Sequence, residues 1–165
     1  MTYVVDASVV VKWLVPEEGS EQAAALMKLP LMAPDILIAE CVNVLWRKAV
    51  RGIIDPEHAV RRAHALKGAG IALEPTQPLA PDIIILSLRL NHSAYDCAYL
   101  ALAQRLDGVL VTADQKLLRR CTQPDTADLA RHVCLLGQFE RDVQEPRKSV
   151  YRARPVSLKA VSFRA

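Results

Sequence analysis

The 165-residue chain contains no run approaching the ~18–20 consecutive apolar residues that a membrane-spanning helix needs. Its longest candidate, Ile83 to Leu86, is cut off by Ser87 and Arg89, which excludes helical membrane spans and predicts no membrane partner. At the start no basic segment precedes an apolar stretch, because Asp6 and Lys12 interrupt the opening valines. A secretory leader is therefore not expected, and a cytoplasmic location is. Cysteines are few: Cys41, Cys97, Cys121 and Cys134 are widely spaced and form no CxxC pair. That argues against a zinc site or a disulfide framework and for buried thiols in a reducing compartment. The four histidines, His58, His64, His92 and His132, show no metal-ligand spacing and read as surface or helix-face residues, with a place near Asp96 as the alternative for His92. Aromatics make up only 5% of the chain, and Trp13 and Trp46 read as core rather than as base-stacking residues. Neither sign of charge dominates through residue 138, with 14 Lys/Arg against 15 Asp/Glu; beyond it the count is 7 against 3. The expected organisation is one domain over 1–138 and a basic extension over 139–165 that is disordered or touches a partner.

What is present is an alternation of short β-branched runs and helical segments. Tyr3-Val4-Val5 reads as a buried strand ending on Asp6, and Ala7 to Val15 as a helix stopped by Pro16. A second helix is predicted from Ser20 to Lys28 and a strand at Leu31-Met32-Ala33. The clearest helix runs from Asp35 to Arg51; Ile38, Cys41, Val42, Leu45, Trp46 and Ala49 are expected to form its buried stripe, with Glu40, Asn43 and Arg47 on another face. Asp55-Pro56 opens a helix to Lys67, Ile71-Ala72-Leu73 reads as a strand, and two helices, 81–90 and 94–106, are joined by Asn91-His92-Ser93. Val109-Leu110-Val111-Thr112 is the second convincing strand, Asp114 caps a helix to Arg120, and a last helix over 125–131 precedes Val133 to Leu136. No internal repeat is present. This order predicts an α/β fold with a central, mainly parallel sheet flanked by helices.

In such a sheet ligands gather at the carboxyl ends of the strands. Asp6 ends one strand, and Thr112 and Asp114 end another; Asp96 stands early in a helix, and Glu40 has the apolar neighbours Ala39, Cys41 and Val42. Each acid alone has a plain alternative. Asp96 and Asp114 fit as N-caps, and Glu40 fits as an exposed glutamate or a partner of Arg47. Asp6 is harder to dismiss, since a carboxylate directly after a buried strand is costly without compensation. Four acids in one pocket would raise each other's pKa values unless a cation intervened, and Mg²⁺ or Mn²⁺ suits an all-carboxylate site better than zinc.

Four blocks carry a family resemblance: Val4-Val5-Asp6-Ala7-Ser8, Glu40-Cys41-Val42-Asn43, Tyr95-Asp96-Cys97-Ala98-Tyr99-Leu100-Ala101-Leu102-Ala103, and Val111-Thr112-Ala113-Asp114. In this order the chain resembles PIN domains over about residues 2–136, and within them the VapC-type toxins of bacterial and archaeal toxin–antitoxin pairs. The resemblance implies a three-layer α/β/α fold and a Mg²⁺- or Mn²⁺-dependent endoribonuclease that leaves a 5′-phosphate and a 3′-hydroxyl. It also implies a small cognate antitoxin, an RNA substrate and a homodimer; the apolar character of helices 35–51 and 82–90 makes them the candidate interfaces. By position, Asp6, Glu40, Asp96 and Asp114 match the family's acidic metal-site residues, Ser8 and Thr112 its nearby hydroxyls, and Asn43 the polar residue one turn after the helix acid. Gln115 and Lys116 stand where some members carry a further acid, and the basic extension is not part of the common pattern.

Other functions fit less well. An aspartyl-nucleophile phosphatase wants a second Asp two residues after the first, where this chain has Ser8; a phosphotransfer receiver wants an acid pair where it has Val4 and Val5. A catalytically inactive PIN-like binding module and a housekeeping RNA-processing nuclease remain as alternatives. Arg47, Arg51, Arg61 and Arg62 are candidates to line an RNA path.

Overall fold

The structure, a computed structural model, describes residues 1–139; the stretch 140–165, which holds nearly all of the basic extension, lies outside the described residues. Five strands, β1 (Tyr3–Val5), β2 (Leu31–Pro34), β3 (Ile71–Glu74), β4 (Val109–Thr112) and β5 (Val133–Leu135), form one sheet in the order β3-β2-β1-β4-β5. Every pairing is parallel. The apolar runs suit this, because a parallel sheet is covered on both faces and its strands need no polar side.

Among the described residues seven α-helices connect the strands: α1 (Ala7–Leu14), α2 (Ser20–Leu26), α3 (Ile36–Val50), α4 (Pro56–Ala65), α5 (Ala80–Leu90), α6 (Ala94–Arg105) and α7 (Gln115–Cys121). The chain steps outward from β1 through β2 to β3, then crosses back to β4 on the far side of β1. Right-handed crossovers in opposite directions place the two sets of helices on opposite faces, which gives the three-layer α/β/α arrangement. Contacts follow that division: α1 packs on α2 and α3, α3 on α4, and α5 on α6. Helix α6 crosses β1, β2 and β4, and all seven residues from Cys97 to Ala103 are buried. Its alanines let it approach the sheet closely, and α5 covers its other side.

Several local readings differ from expectation. On α3 the buried row is Leu37, Cys41 and Leu45, whereas Ile38, Val42 and Trp46 are exposed. Two adjacent apolar rows run along this helix, and the buried row is one residue away from the exposed one. Trp46 is thus 59% exposed rather than core, while Trp13 is half-buried and donates its indole N–H to the Ala23 carbonyl at 2.7 Å. The segment expected as a last helix is a 3₁₀ stretch, Ala127–His132, set up by the Thr126 hydroxyl on the Arg120 carbonyl at 2.5 Å. All four cysteines are buried. Phe139 is buried too and meets Tyr3 edge-on at 5.1 Å, so core packing reaches the last described residue.

Candidate active site

The sheet reverses its direction of growth between β1 and β4, and ligands of open parallel sheets bind outside the carboxyl ends of strands at such a point. The register pairs Val5 with Val111, so Asp6 and Thr112 follow level with one another. Asp6 is buried. Its Oδ1 accepts the Ser8 hydroxyl at 2.6 Å and the Val9 amide at 3.1 Å as the N-cap of α1, and its Oδ2 accepts the Thr112 hydroxyl at 2.5 Å. Thr112 in turn accepts the Asp114 amide at 2.9 Å, and Ser8 accepts the Ala113 amide at 3.0 Å. The two hydroxyls therefore stitch the β1 end to the β4 end.

Asp114 caps α7 with one oxygen, Oδ1, which accepts the Lys116 and Leu117 amides at 2.7 and 3.1 Å. The capping alternative is thus correct for this residue, yet its Oδ2 stays available and points at His92 Nε2, 3.3 Å away. For Asp96 that alternative fails: Ser93 caps α6, and Asp96 stands in the first turn. Glu40 is half-buried and accepts a short hydrogen bond from the Tyr99 hydroxyl, neither exposed nor paired with Arg47.

All four acids line one cavity of about 450 Å³, together with Ser8 and Asn43. Lys12, Arg47 and Lys48 also line it, and Glu17 bridges Lys12 at 3.0 Å and Lys48 at 2.9 Å. Arg47 is the member of the four-arginine set that reaches this cavity. Arg62 instead donates to the Leu14 carbonyl at the end of α1, and Arg61 pairs with Glu57 at 3.6 Å.

Burial pushes the Asp6 carboxyl up to about 6, against the lowering effect of the Ser8 and Thr112 hydroxyls. Burial also raises Glu40, against the Tyr99 hydrogen bond, and raises Asp96, with Asp114 adding to the effect and His92 opposing it. Carboxylates held this way favour a cation among them. The donor set, four carboxylates with hydroxyls fixing Asp6, fits a hard divalent ion such as Mg²⁺ or Mn²⁺.

Two histidines differ from the surface reading. His132 is buried, with Nδ1 2.9 Å from the Gly108 carbonyl. The His92 side chain is only 4% exposed, and its Nε2 lies 3.1 Å from Asp96 Oδ2. Tyr99, Lys12 and Lys48 are further cavity residues whose roles the sequence pattern does not mark. The available signal is spacing: His92 and Tyr99 stand four residues before and three after Asp96, one turn away on the same side.

Known proteins resemble the chain in sequence and in fold. Residues 3–122 match the sequence model of the PIN domain family. The chain is 35% identical to Ribonuclease VapC3 of Pyrobaculum aerophilum, over 73% of this chain and 95% of that one. It is 32% identical to Ribonuclease VapC9 of Mycobacterium tuberculosis, over 69% and 87% respectively. In fold it is similar to the crystal structure of PAE2754 from Pyrobaculum aerophilum, with a TM-score of 0.65, 20% identity, and coverage of 87% of this chain and 96% of that one.

Proposed function

The chain belongs to the PIN domain family, and from that premise we propose that it is a Mg²⁺- or Mn²⁺-dependent endoribonuclease, the toxin of a toxin–antitoxin pair. The observation that carries the reading is the convergence of Asp6, Glu40, Asp96 and Asp114, from four separate elements, on one cavity at the β1–β4 switch point. The ribonuclease names of relatives sharing about a third of their residues with this chain support the choice of RNA.

In this reading Asp6 and Asp96 are the primary holders of the cation, and Glu40 and Asp114 complete the set directly or through water. The bound cation supplies neutralisation of phosphate charge and activation of water. Ser8 and Thr112 hold the Asp6 oxygens in place, so the carboxylate is aimed before any ligand arrives. Tyr99 does the same for Glu40. Lys12, Arg47 and Lys48 attract the RNA backbone to the cavity and orient it without reading bases. Water attacks phosphorus in line, its proton passes to a carboxylate of the site, the bond from phosphorus to O3′ breaks, and the leaving O3′ takes up a proton from solvent water. The products are a 5′-phosphate and a 3′-hydroxyl.

The proposed partners are a small antitoxin and a second copy of the chain. Exposed apolar residues support docking on two helices, Ile38, Val42 and Trp46 on α3 and Ile84, Ile85 and Leu88 on α5. Among the described residues no helix is long and apolar enough to cross a membrane, and the proposed site of action is the cytoplasm.

The test is cleavage of a panel of structured RNAs with Mn²⁺ or Mg²⁺, comparing the wild type with Asp6→Ala. Metal-dependent cutting that the variant loses supports the reading. Inert preparations that bind no metal by calorimetry would move the inactive binding module to the front.

A further inference from the structure

We propose that His92, Asp96 and Asp114 form a mixed nitrogen–oxygen subsite of the cavity that selects Mn²⁺ over Mg²⁺. This deepens the metal-centre reading above and rests on it.

The starting point is a buried imidazole set between two carboxylates without a well-formed hydrogen bond to either. The His92 side chain is 4% exposed, and neither Nδ1 nor Nε2 has a hydrogen-bond partner among the described residues. A polar ring in that state is costly and uncommon. Its Nε2 nevertheless faces two carboxylates, with Asp96 Oδ2 at 3.1 Å and Asp114 Oδ2 at 3.3 Å. One donor atom from each of the three residues lies within 4.8 Å of the others. Two ligands about 2.1–2.2 Å from an octahedral ion and at right angles to each other stand about 3.0–3.1 Å apart. The Asp96 separation, 3.1 Å, matches that edge, and the Asp114 separation, 3.3 Å, is slightly longer.

The arrangement is built in before any ion arrives. Asn91 ends α5 in the left-handed conformation, at φ 45°, and the His92 amide donates back to the Ser87 carbonyl at 3.2 Å. Ser93 then starts α6 by accepting the Tyr95 amide. His92 is thus fixed between two helix ends, one turn before Asp96. Asp114 is fixed as well, since its Oδ1 is committed to the α7 cap and only Oδ2 remains for a ligand.

Chemistry then sets the selectivity. Mg²⁺ prefers oxygen and gains little from an imidazole, whereas transition ions gain from nitrogen donors. The acids alone hold either ion, and His92 tips the choice toward the transition metal.

The test uses the full chain with Mn²⁺ as both ligand and probe. Pulsed electron paramagnetic resonance of the Mn²⁺-loaded wild type should show ¹⁴N coupling from a directly bound imidazole, and His92→Gln should lose it. In calorimetry His92→Gln should weaken Mn²⁺ at least tenfold while leaving Mg²⁺ within twofold, and His92→Asn should behave likewise. A wild type that binds Mn²⁺ without ¹⁴N coupling overturns the proposal and leaves the metal-dependent nuclease standing. Equal weakening of Mn²⁺ and Mg²⁺ does the same, making His92 a positioning residue. A wild type that binds neither ion overturns both readings. The spectroscopic arm needs no variant, so poor folding of a substituted chain does not blunt it.

Discussion

Thr112 donates a 2.5 Å hydrogen bond to Asp6 Oδ2 across 106 residues of sequence, which locks the ends of β1 and β4 together at the mouth of the cavity. The bond has two consequences. It supplies a donor to a buried carboxylate that desolvation alone would push further up, and it fixes the carboxylate's direction. Thr112→Val keeps the shape and removes the donor. Divalent-ion affinity should fall about ten- to a hundredfold, the usual range for losing a group that orients a metal ligand. Stability of the metal-free protein should fall by about 1–2 kcal/mol. Calorimetry and urea unfolding in chelator check the two effects separately.

Gly108 makes the turn into β4, and a Cβ there would lie 2.5 Å from the Thr2 backbone carbonyl oxygen. That oxygen is not free to move, because it accepts the Val109 amide at 3.0 Å where β1 and β4 begin to pair. The Gly108 carbonyl is held too, against His132 Nδ1. Gly108→Ala should cost roughly 2 kcal/mol or more through forced backbone displacement. Gly68→Ala, with nothing within 4 Å of the new methyl, should cost nothing or add up to about 1 kcal/mol. Urea midpoints at constant slope decide both.

Arg89 on α5 grips the 3₁₀ stretch by three bonds: to Asp128 Oδ2 at 2.9 Å, to Asp128 Oδ1 at 2.5 Å, and to the Asp125 carbonyl at 2.7 Å. The guanidinium holds the Asp128 carboxyl below its ordinary value. A carboxyl lowered in the folded state adds stability above its unfolded pKa, and that stability is lost as pH falls through the folded value. The pair is largely solvent-exposed, so Arg89→Ala should cost only about 0.5–1 kcal/mol at pH 7. The gap between wild type and variant should start to narrow as pH falls past the ordinary Asp value of about 3.9 and close only below the lowered folded value. Thermal melts across pH 2.5–7 check the sign; a gap that widened in acid would contradict it.

Much of the fold and the site is legible in the sequence, for physical reasons. A β-branched run that ends on an acid marks a strand delivering a side chain to a sheet edge, and this pattern alone locates Asp6, Thr112 and Asp114. Periodicity on α3 is less decisive, because Leu37-Cys41-Leu45 and Ile38-Val42-Trp46 are adjacent rows with the same spacing. Only the way α3 packs against its neighbours, α1 and α4, chooses between them. His92 is legible only as the less favoured alternative, a neighbour of Asp96, which the structure bears out. Spacing between histidines carries no signal here, since its partners are aspartates, one across a helix cap and one on a different strand end. The left-handed turn at Asn91 has its marker in the asparagine that ends α5, but that marker says nothing of where the next ring points.

Tyr99 shows how a buried aromatic serves the site without lining it as a stacking surface. It is almost fully buried in α6, and its hydroxyl donates to Glu40 Oε2 on α3, which brings together helices from opposite faces of the sheet. Burial, with the Glu40 carboxylate next to it, raises the phenol well above its ordinary pKa, so it acts as a donor and never as a base. Tyr99→Phe removes one oxygen and keeps the ring. Glu40 then loses its aim in a half-buried setting while the core stays filled. RNA cleavage should lose about tenfold in kcat with KM nearly unchanged, and the melting temperature should move little, since one hydrogen bond is worth about 1 kcal/mol. Tyr99→Leu should lose both activity and stability, because it also removes the ring from the core. If Phe and Leu lowered kcat only in proportion to lost stability, Tyr99 would be a packing residue and Glu40 would be positioned by something else.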